Sequence, residues 1–188
     1  MLRLFETEHL NAFVVDEGAA KQLLAYEIAN RECFSQFSPQ RTDSYYTLAN
    51  IQYHCNKQMV LYTQKRKLPL VFSRKEGSAI VAQVYLSEIL YGASYSAKLG
   101  YSTAEKWQRQ GIGTEAVVSV LEYAFKKLKL HRLEATIMTK NYASLAFATS
   151  LGFVQEGISR EYLLLNGKWE DYCQLALLND QHPLDRKA

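Results

Sequence analysis

The chain has 188 residues, 48% of them apolar and 22% charged, which suits a single globular domain with a sizeable core. A formal net charge of +3 is too slight for a nucleic-acid binder or a protein held on an anionic membrane, and it is compatible with an anionic ligand. Three cysteines form no Cys-x-x-Cys pair, residues 1–10 hold no apolar core of signal-peptide length, and no apolar run approaches a membrane span, so a reduced, cytoplasmic protein is expected.

In chain order, Met1 to Phe5 reads as a short edge strand. Asp16 is placed to cap a helix in which Ala20, Leu23, Leu24 and Ile28 recur at helical spacing. Phe34 to Pro39 reads as an aromatic-rich loop. A second helix is expected from Thr42-Asp43-Ser44, with Leu48, Ile51, Cys55, Met59 and Tyr62 on one face and Lys65-Arg66-Lys67 closing its last turn. Leu68 to Phe72 and Ala79 to Leu86 read as strands joined by a turn at Lys75-Glu76-Gly77, and Ser94 to Ser102 as a third.

Next comes Gln108-Arg109-Gln110-Gly111-Ile112-Gly113-Thr114, and a helix follows at once. Two glycines one residue apart let backbone approach a ligand closely, since neither carries a Cβ. The helix start adds unpaired N–H groups and the positive end of its dipole, which together suit a phosphate or pyrophosphate. Arg109 adds a positive charge at the rim. Ala116, Val117, Val120, Leu121, Ala124, Phe125 and Leu128 form the helix's apolar stripe, with Glu122 and Lys126 paired outside. Arg132 to Met138 is a strand, so strand, loop, helix and strand make a βαβ unit with two parallel strands. Asn141 caps a short helix through Leu151, Gly152 ends it, and Phe153 to Leu165 is a long strand. Asn166-Gly167 signals a type I′ hairpin, from which Lys168 to Leu178 returns antiparallel. The polar tail 179–188 follows the domain of residues 1–178.

Gln108 to Gly113 resembles the acyl-CoA pyrophosphate loop, Q/R-x-x-G-x-G/A, of the GNAT superfamily of N-acetyltransferases. Asn141-Tyr142-Ala143-Ser144, Leu151-Gly152-Phe153 and Glu156-Gly157 are similar to that family's next motif. Leu130 to Glu134 and Leu165 to Asp171 resemble its RimJ/RimL-like branch, which acetylates N-terminal alanine or serine of ribosomal proteins. The resemblance covers about residues 94–178, and the N-terminal half fits in element order. It implies an α/β fold with one mixed, strongly twisted sheet, flanking helices and splayed central parallel strands, here near residues 98–103 and 133–138. It also implies acetyl-CoA as acetyl donor, an amine acceptor such as a protein N-terminus, and no metal. Ser102 and Thr103 would border the cofactor, residues 108–114 would cradle its pyrophosphate, and Asn141 would bond a pantetheine amide. Pantetheine is peptide-like and can pair with an open strand edge.

The chemistry is attack of a neutral amine on a thioester, which needs a proton acceptor, an oxyanion donor and a proton for the leaving thiolate. Ser144 is the first candidate for that donor, because the resembled branch has serine there; Tyr142 is the alternative. The carboxylate found in part of that branch before the Asn-Gly turn aligns here with Leu163. A two-residue turn sets Leu163 opposite Glu170, which can supply the carboxylate from the neighbouring strand; Glu161 and Asp171 are further choices.

Rival readings stay open at this point. Gly111 to Ala116 also matches a dinucleotide fingerprint with Glu134 downstream, but Glu105 to Gln110 separate the strand from the first glycine. A non-catalytic acyl-CoA-binding module would explain Leu163, and a small-molecule amine is an alternative acceptor. His9, His54, His131 and His182 show no metal-ligand spacing. The sequence leaves an oligomer possible.

Overall fold

The computed structural model describes residues 1–180, so residues 181–188 of the expected tail, His182 among them, lie outside the described residues. The chain opens with β1 (Leu2–Glu6) and β2 (Leu10–Val14). The sequence pattern does not announce β2, which has only five residues, with Leu10, Ala12 and Val14 inward. Asp16 holds the N-cap position of the 3-10 turn before α1, but its side chain makes no cap hydrogen bond and pairs with the Met1 ammonium at 3.4 Å. A 3-10 turn, Glu17–Ala19, leads into α1 (Ala20–Ala29). Its buried face runs through Ala20, Leu23 and Tyr26, which carries the stripe past the exposed Ile28.

The expected aromatic loop begins inside a short helix, α2 (Arg31–Ser35). The second long helix starts later than Thr42, because Asp43–Tyr46 forms a separate 3-10 turn. α3 (Leu48–Thr63) begins at Thr47, whose Oγ1 accepts from the Asn50 N–H at 3.4 Å. Lys65 has φ +56, so the basic triplet lies beyond the helix end.

β3 (Leu68–Arg74), β4 (Ile80–Leu90) and β5 (Ser96–Thr103) form an antiparallel meander. α4 (Ile112–Lys126) buries Ala116, Val117, Val120, Leu121 and Ala124, as its stripe predicts. β6 (Arg132–Met138), α5 (Tyr142–Ser150), β7 (Val154–Leu165) and β8 (Lys168–Leu178) complete the chain. Asn166 and Gly167 take φ +51 and +83, the pair of left-handed residues that a type I′ turn requires.

The sheet has eight strands in the order β1-β2-β3-β4-β5-β6-β8-β7, antiparallel except at β5–β6. That parallel ladder holds only where Ser96, Ala97 and Lys98 meet Arg132, Leu133 and Glu134. Further along, β5 follows β4 to Thr103 and β6 follows β8 to Met138, and the two part. This is the mixed sheet with splayed central strands that the resemblance implies. Val71 and Phe72, neighbours in β3, enter different cores. Phe72 joins α4 residues such as Val120, and Val71 joins Leu23 of α1 and Ile51 of α3, so the helices cover both faces. Among the described residues no helix is long and apolar enough to cross a membrane.

Candidate functional site

Where β5 and β6 part, a cleft of about 890 Å³ opens. One end is the glycine loop. Gly111 is the N-cap residue of α4 with φ +80 and ψ −16, and Arg109 takes φ +60. Left-handed residues alternating with ordinary ones turn successive N–H groups toward one concavity, and the first turn of α4 adds its own. Gly113 has the second requirement, close approach: a Cβ there would stand 2.7 Å from Thr103 Oγ1. Glycine at 113 thus lets the start of α4 pack against β5, and the N–H groups beside the open Gly111 can receive an anionic group. Behind it, Gln110 folds its amide onto the Lys106 carbonyl at 2.7 Å, and Ile112 is buried in the core.

The middle of the cleft lies between the parted strands. Residues 99–103 of β5 have no β6 partner, so that edge offers backbone to a ligand. Asn141 caps α5 by accepting the Ser144 N–H on Oδ1 at 3.1 Å, so a ligand contact falls to its Nδ2. Ser144 Oγ is 2.8 Å from Tyr101 Oη, and Tyr101 also donates to the Ser144 carbonyl at 3.2 Å. The Tyr101 ring stands edge-on to Phe147, 5.1 Å between centroids. Burial pushes the Tyr101 phenol up, against a smaller lowering by the Ser144 bond.

The far end is walled by α1, the segment after α2 and β4. Tyr26 Oη bonds Ser102 Oγ at 2.9 Å, which ties α1 to β5, and burial drives this phenol well above its usual range. Glu27 accepts from Arg41 Nη1 at 2.8 Å and from Gln83 Nε2 at 3.0 Å. Asn166 of the hairpin turn accepts the Gln40 N–H at 2.8 Å and donates to the Ser35 carbonyl at 3.4 Å, holding the segment between against the last hairpin.

The structure brings Ser102, Thr103, Gln108, Arg109, Gly111, Gly113, Thr114, Asn141 and Ser144 together on the cleft wall. Tyr142 is 76% exposed and stands outside that lining, since its place in the first turn of α5 directs it to solvent. Glu170 does face Leu163 across the β7–β8 ladder, but it too is outside the lining, and Lys140 Nζ holds its carboxylate at 2.6 Å. Asp171 Oδ1 accepts the Glu161 N–H at 2.8 Å, where the β7–β8 register shifts between Ser159 and Leu163. Tyr101, Glu27, Arg41 and Gln83 are the wall residues that sequence reasoning passes over. The alternation of β5 alone could have drawn attention to Tyr101. Among the described residues no three His, Cys, Asp or Glu side chains cluster to hold a metal.

Behind the cradle, Glu115 fixes the first turn of α4 to the β1–β2 corner. Its Oε1 accepts from Thr7 Oγ1 at 2.5 Å and from the His9 N–H at 2.8 Å, and His9 Nδ1 lies 3.0 Å from Oε2. Burial pushes the Glu115 carboxyl up, but these bonds together outweigh it and hold it below the usual range. A lowered folded value means stability that is present above the unfolded value of about 4.3 and lost as pH falls below it. Wild type is expected to lose more stability than Glu115→Gln between pH 7 and pH ~3, measured by urea midpoints at each pH.

Residues 1–154 match the acetyltransferase (GNAT) domain family. A curated relative, the probable N-acetyltransferase YjcK of Bacillus subtilis, is 35% identical over 160 residues, 85% of this chain and 88% of its own length. The crystal structure of ribosomal-protein-S5-alanine acetyltransferase from Vibrio fischeri superposes with a TM-score of 0.88 at 28% identity, covering 95% of this chain and 97% of that one. RimJ of Mycobacterium smegmatis, solved in complex with CoA-disulfide, gives 0.85 at 25% identity over 93% and 84%.

Proposed function

The chain belongs to the GNAT acetyltransferase family and is an acetyl-CoA-dependent N-acetyltransferase, and on that premise we propose that its acceptor is the N-terminal amine of a protein, of the ribosomal kind. The observation that carries the acceptor is the near-complete likeness to a ribosomal-protein-S5-alanine acetyltransferase, 95% of this chain at a TM-score of 0.88. Such an acceptor places the protein in the cytoplasm, where ribosomal proteins are made.

Acetyl-CoA supplies an acyl carbon activated as a thioester. The chain's part is to bind, orient and manage protons. In this reading the N–H groups of residues 109–114 hold the pyrophosphate, with Arg109 at the rim. Asn141 Nδ2 and the free edge of β5 hold the pantetheine arm, and a β5 N–H in that edge meets the developing oxyanion. Ser144 supplies the proton that the leaving sulfur needs, and water takes the proton that the attacking amine gives up. The acceptor enters from the opposite end, past α1 and the segment pinned by Asn166.

The test is transfer. Peptides beginning with alanine or serine are incubated with the protein and acetyl-CoA, beside spermidine and free amino acids, and products are read by mass spectrometry. Acetylation at the peptide α-amine, with kcat/KM at least about tenfold above the small amines, supports the reading; a tenfold preference corresponds to roughly 1.4 kcal/mol of transition-state binding. Preference for a small amine overturns the acceptor. Bound acetyl-CoA with no transfer to any amine overturns catalysis and favours a binding module.

A further inference from the structure

The cleft wall carries four cationic side chains, Arg31, Arg41, Lys98 and Arg109, and one carboxylate among the described residues, Glu27. That carboxylate is well placed and well held. Its side chain is 12% exposed on the buried half of α1. The preceding residue, Tyr26, locks the helix to Ser102 of β5 at 2.9 Å. Gln83, which holds Oε1, sits directly across the β4–β5 ladder from Ser102. Glu27 therefore stands beside the segment of β5 that has no β6 partner.

We propose that Glu27 is the docking point for the ammonium group of the acceptor, and that it selects cationic amines. The proposal rests on the acetyltransferase reading and names the charge class of the acceptor within it. A carboxylate oxygen has two lone-pair directions. Arg41 takes one on Oε2 and Gln83 takes one on Oε1, so each oxygen keeps another for an incoming N–H donor. Arg41 is itself fixed by stacking on the Tyr45 ring, 3.9 Å from its centroid, so the pair is a preformed mount rather than a mobile salt bridge. The remaining cations decide direction. Arg31 is paired with Asp43 at 2.8 Å and Lys98 with Glu88 at 2.7 Å, both partners standing outside the cleft wall. With Arg31 and Lys98 so neutralised, the remaining lone pairs of Glu27 are what the wall offers an ammonium group as a carboxylate acceptor, which orients its nitrogen.

The test compares acceptors that differ in charge but hardly in shape. One is a peptide beginning with β-alanine, whose amine is largely protonated at pH 7. The other carries an aminooxyacetyl group in place of that β-alanine and is neutral. Glu27→Gln is expected to lower kcat/KM for the cationic peptide about tenfold or more, mostly through KM, the loss of one charge-assisted hydrogen bond. The neutral peptide should change by less than about twofold, by the same reasoning. Acetyl-CoA affinity should be unchanged, which also reports that the variant is folded. Calorimetric binding of propylamine and ethoxyamine to the CoA-loaded protein gives a readout without turnover: Glu27→Gln should weaken propylamine alone. Equal losses for both members of either pair, or no loss for the cationic member, overturn the assignment. The propylamine arm needs no peptide, so it decides Glu27 even where the protein-acceptor reading fails.

Discussion

Replacing Gly111 with valine is expected to leave a folded protein that no longer gains thermal stability from acetyl-CoA. A Cβ at Gly111 would meet nothing within 4 Å, so crowding is not the obstacle. The obstacle is φ +80, which costs a residue with a side chain about 1–2 kcal/mol and a β-branched one more. The variant can relieve that strain by rotating the peptide units beside it, and those units carry the N–H groups of the cradle. Saturating ligand, at about 100 times Kd, should raise wild-type stability by roughly 2.7 kcal/mol, a shift of about 5–10 °C for a domain of this size. At the same concentration Gly111→Val should show almost no shift. Gly77 is the control. It lies in the β3–β4 turn with open space around its Cβ position and no left-handed φ, so Gly77→Val should keep the full shift. A full shift in Gly111→Val would move the pyrophosphate site away from this loop.

What the sequence reveals and what it hides divide along sequence distance. The stripe of α4 is legible because Ala116, Val117, Val120, Leu121 and Ala124 repeat within one helix, and all five are buried. The hairpin is equally legible. Asn166-Gly167 fixes a two-residue turn, and that turn alone sets Leu163 opposite Glu170. The left-handed turn at Gly111 before α4 was readable too, because glycine spacing and helix start lie side by side in the chain. The far wall of the cleft was not. Glu27 finds Gln83 across 56 positions, Tyr26 finds Ser102 across 76, and Gln40 finds Asn166 across 126. No local period encodes such meetings; they follow from strand order, which places β4 beside β5 and brings α1 over both. β2 was hidden for a related reason. Five residues give barely two periods of alternation, and its pairing with β3 lies some sixty positions away.

The pairing of Tyr101 with Ser144 leads to the second large effect, expected for Ser144→Ala. Tyr101 lies on the unpartnered part of β5 and Ser144 in the first turn of α5, facing one another across the parted strands. A phenol is protonated at neutral pH, and burial raises this one further, so it can act as a donor. The phenol has one hydrogen, within reach of both the Ser144 carbonyl and Ser144 Oγ; when it points at Oγ, the serine's own hydrogen is released to point into the cleft, toward a leaving sulfur. Ser144→Ala removes the donor and should lower kcat about 100-fold while acetyl-CoA affinity stays near wild type. Tyr101→Phe leaves the serine but frees its hydrogen to turn elsewhere, so a smaller loss, about tenfold, is expected. The double variant carries the argument. Two residues acting as one donor cannot be lost twice, so Tyr101→Phe in the Ser144→Ala background should cost almost nothing more. Multiplied losses would instead mean that Tyr101 meets the reaction on its own account. Full kcat in Ser144→Ala would remove both residues from the proton path and leave water as the donor to sulfur.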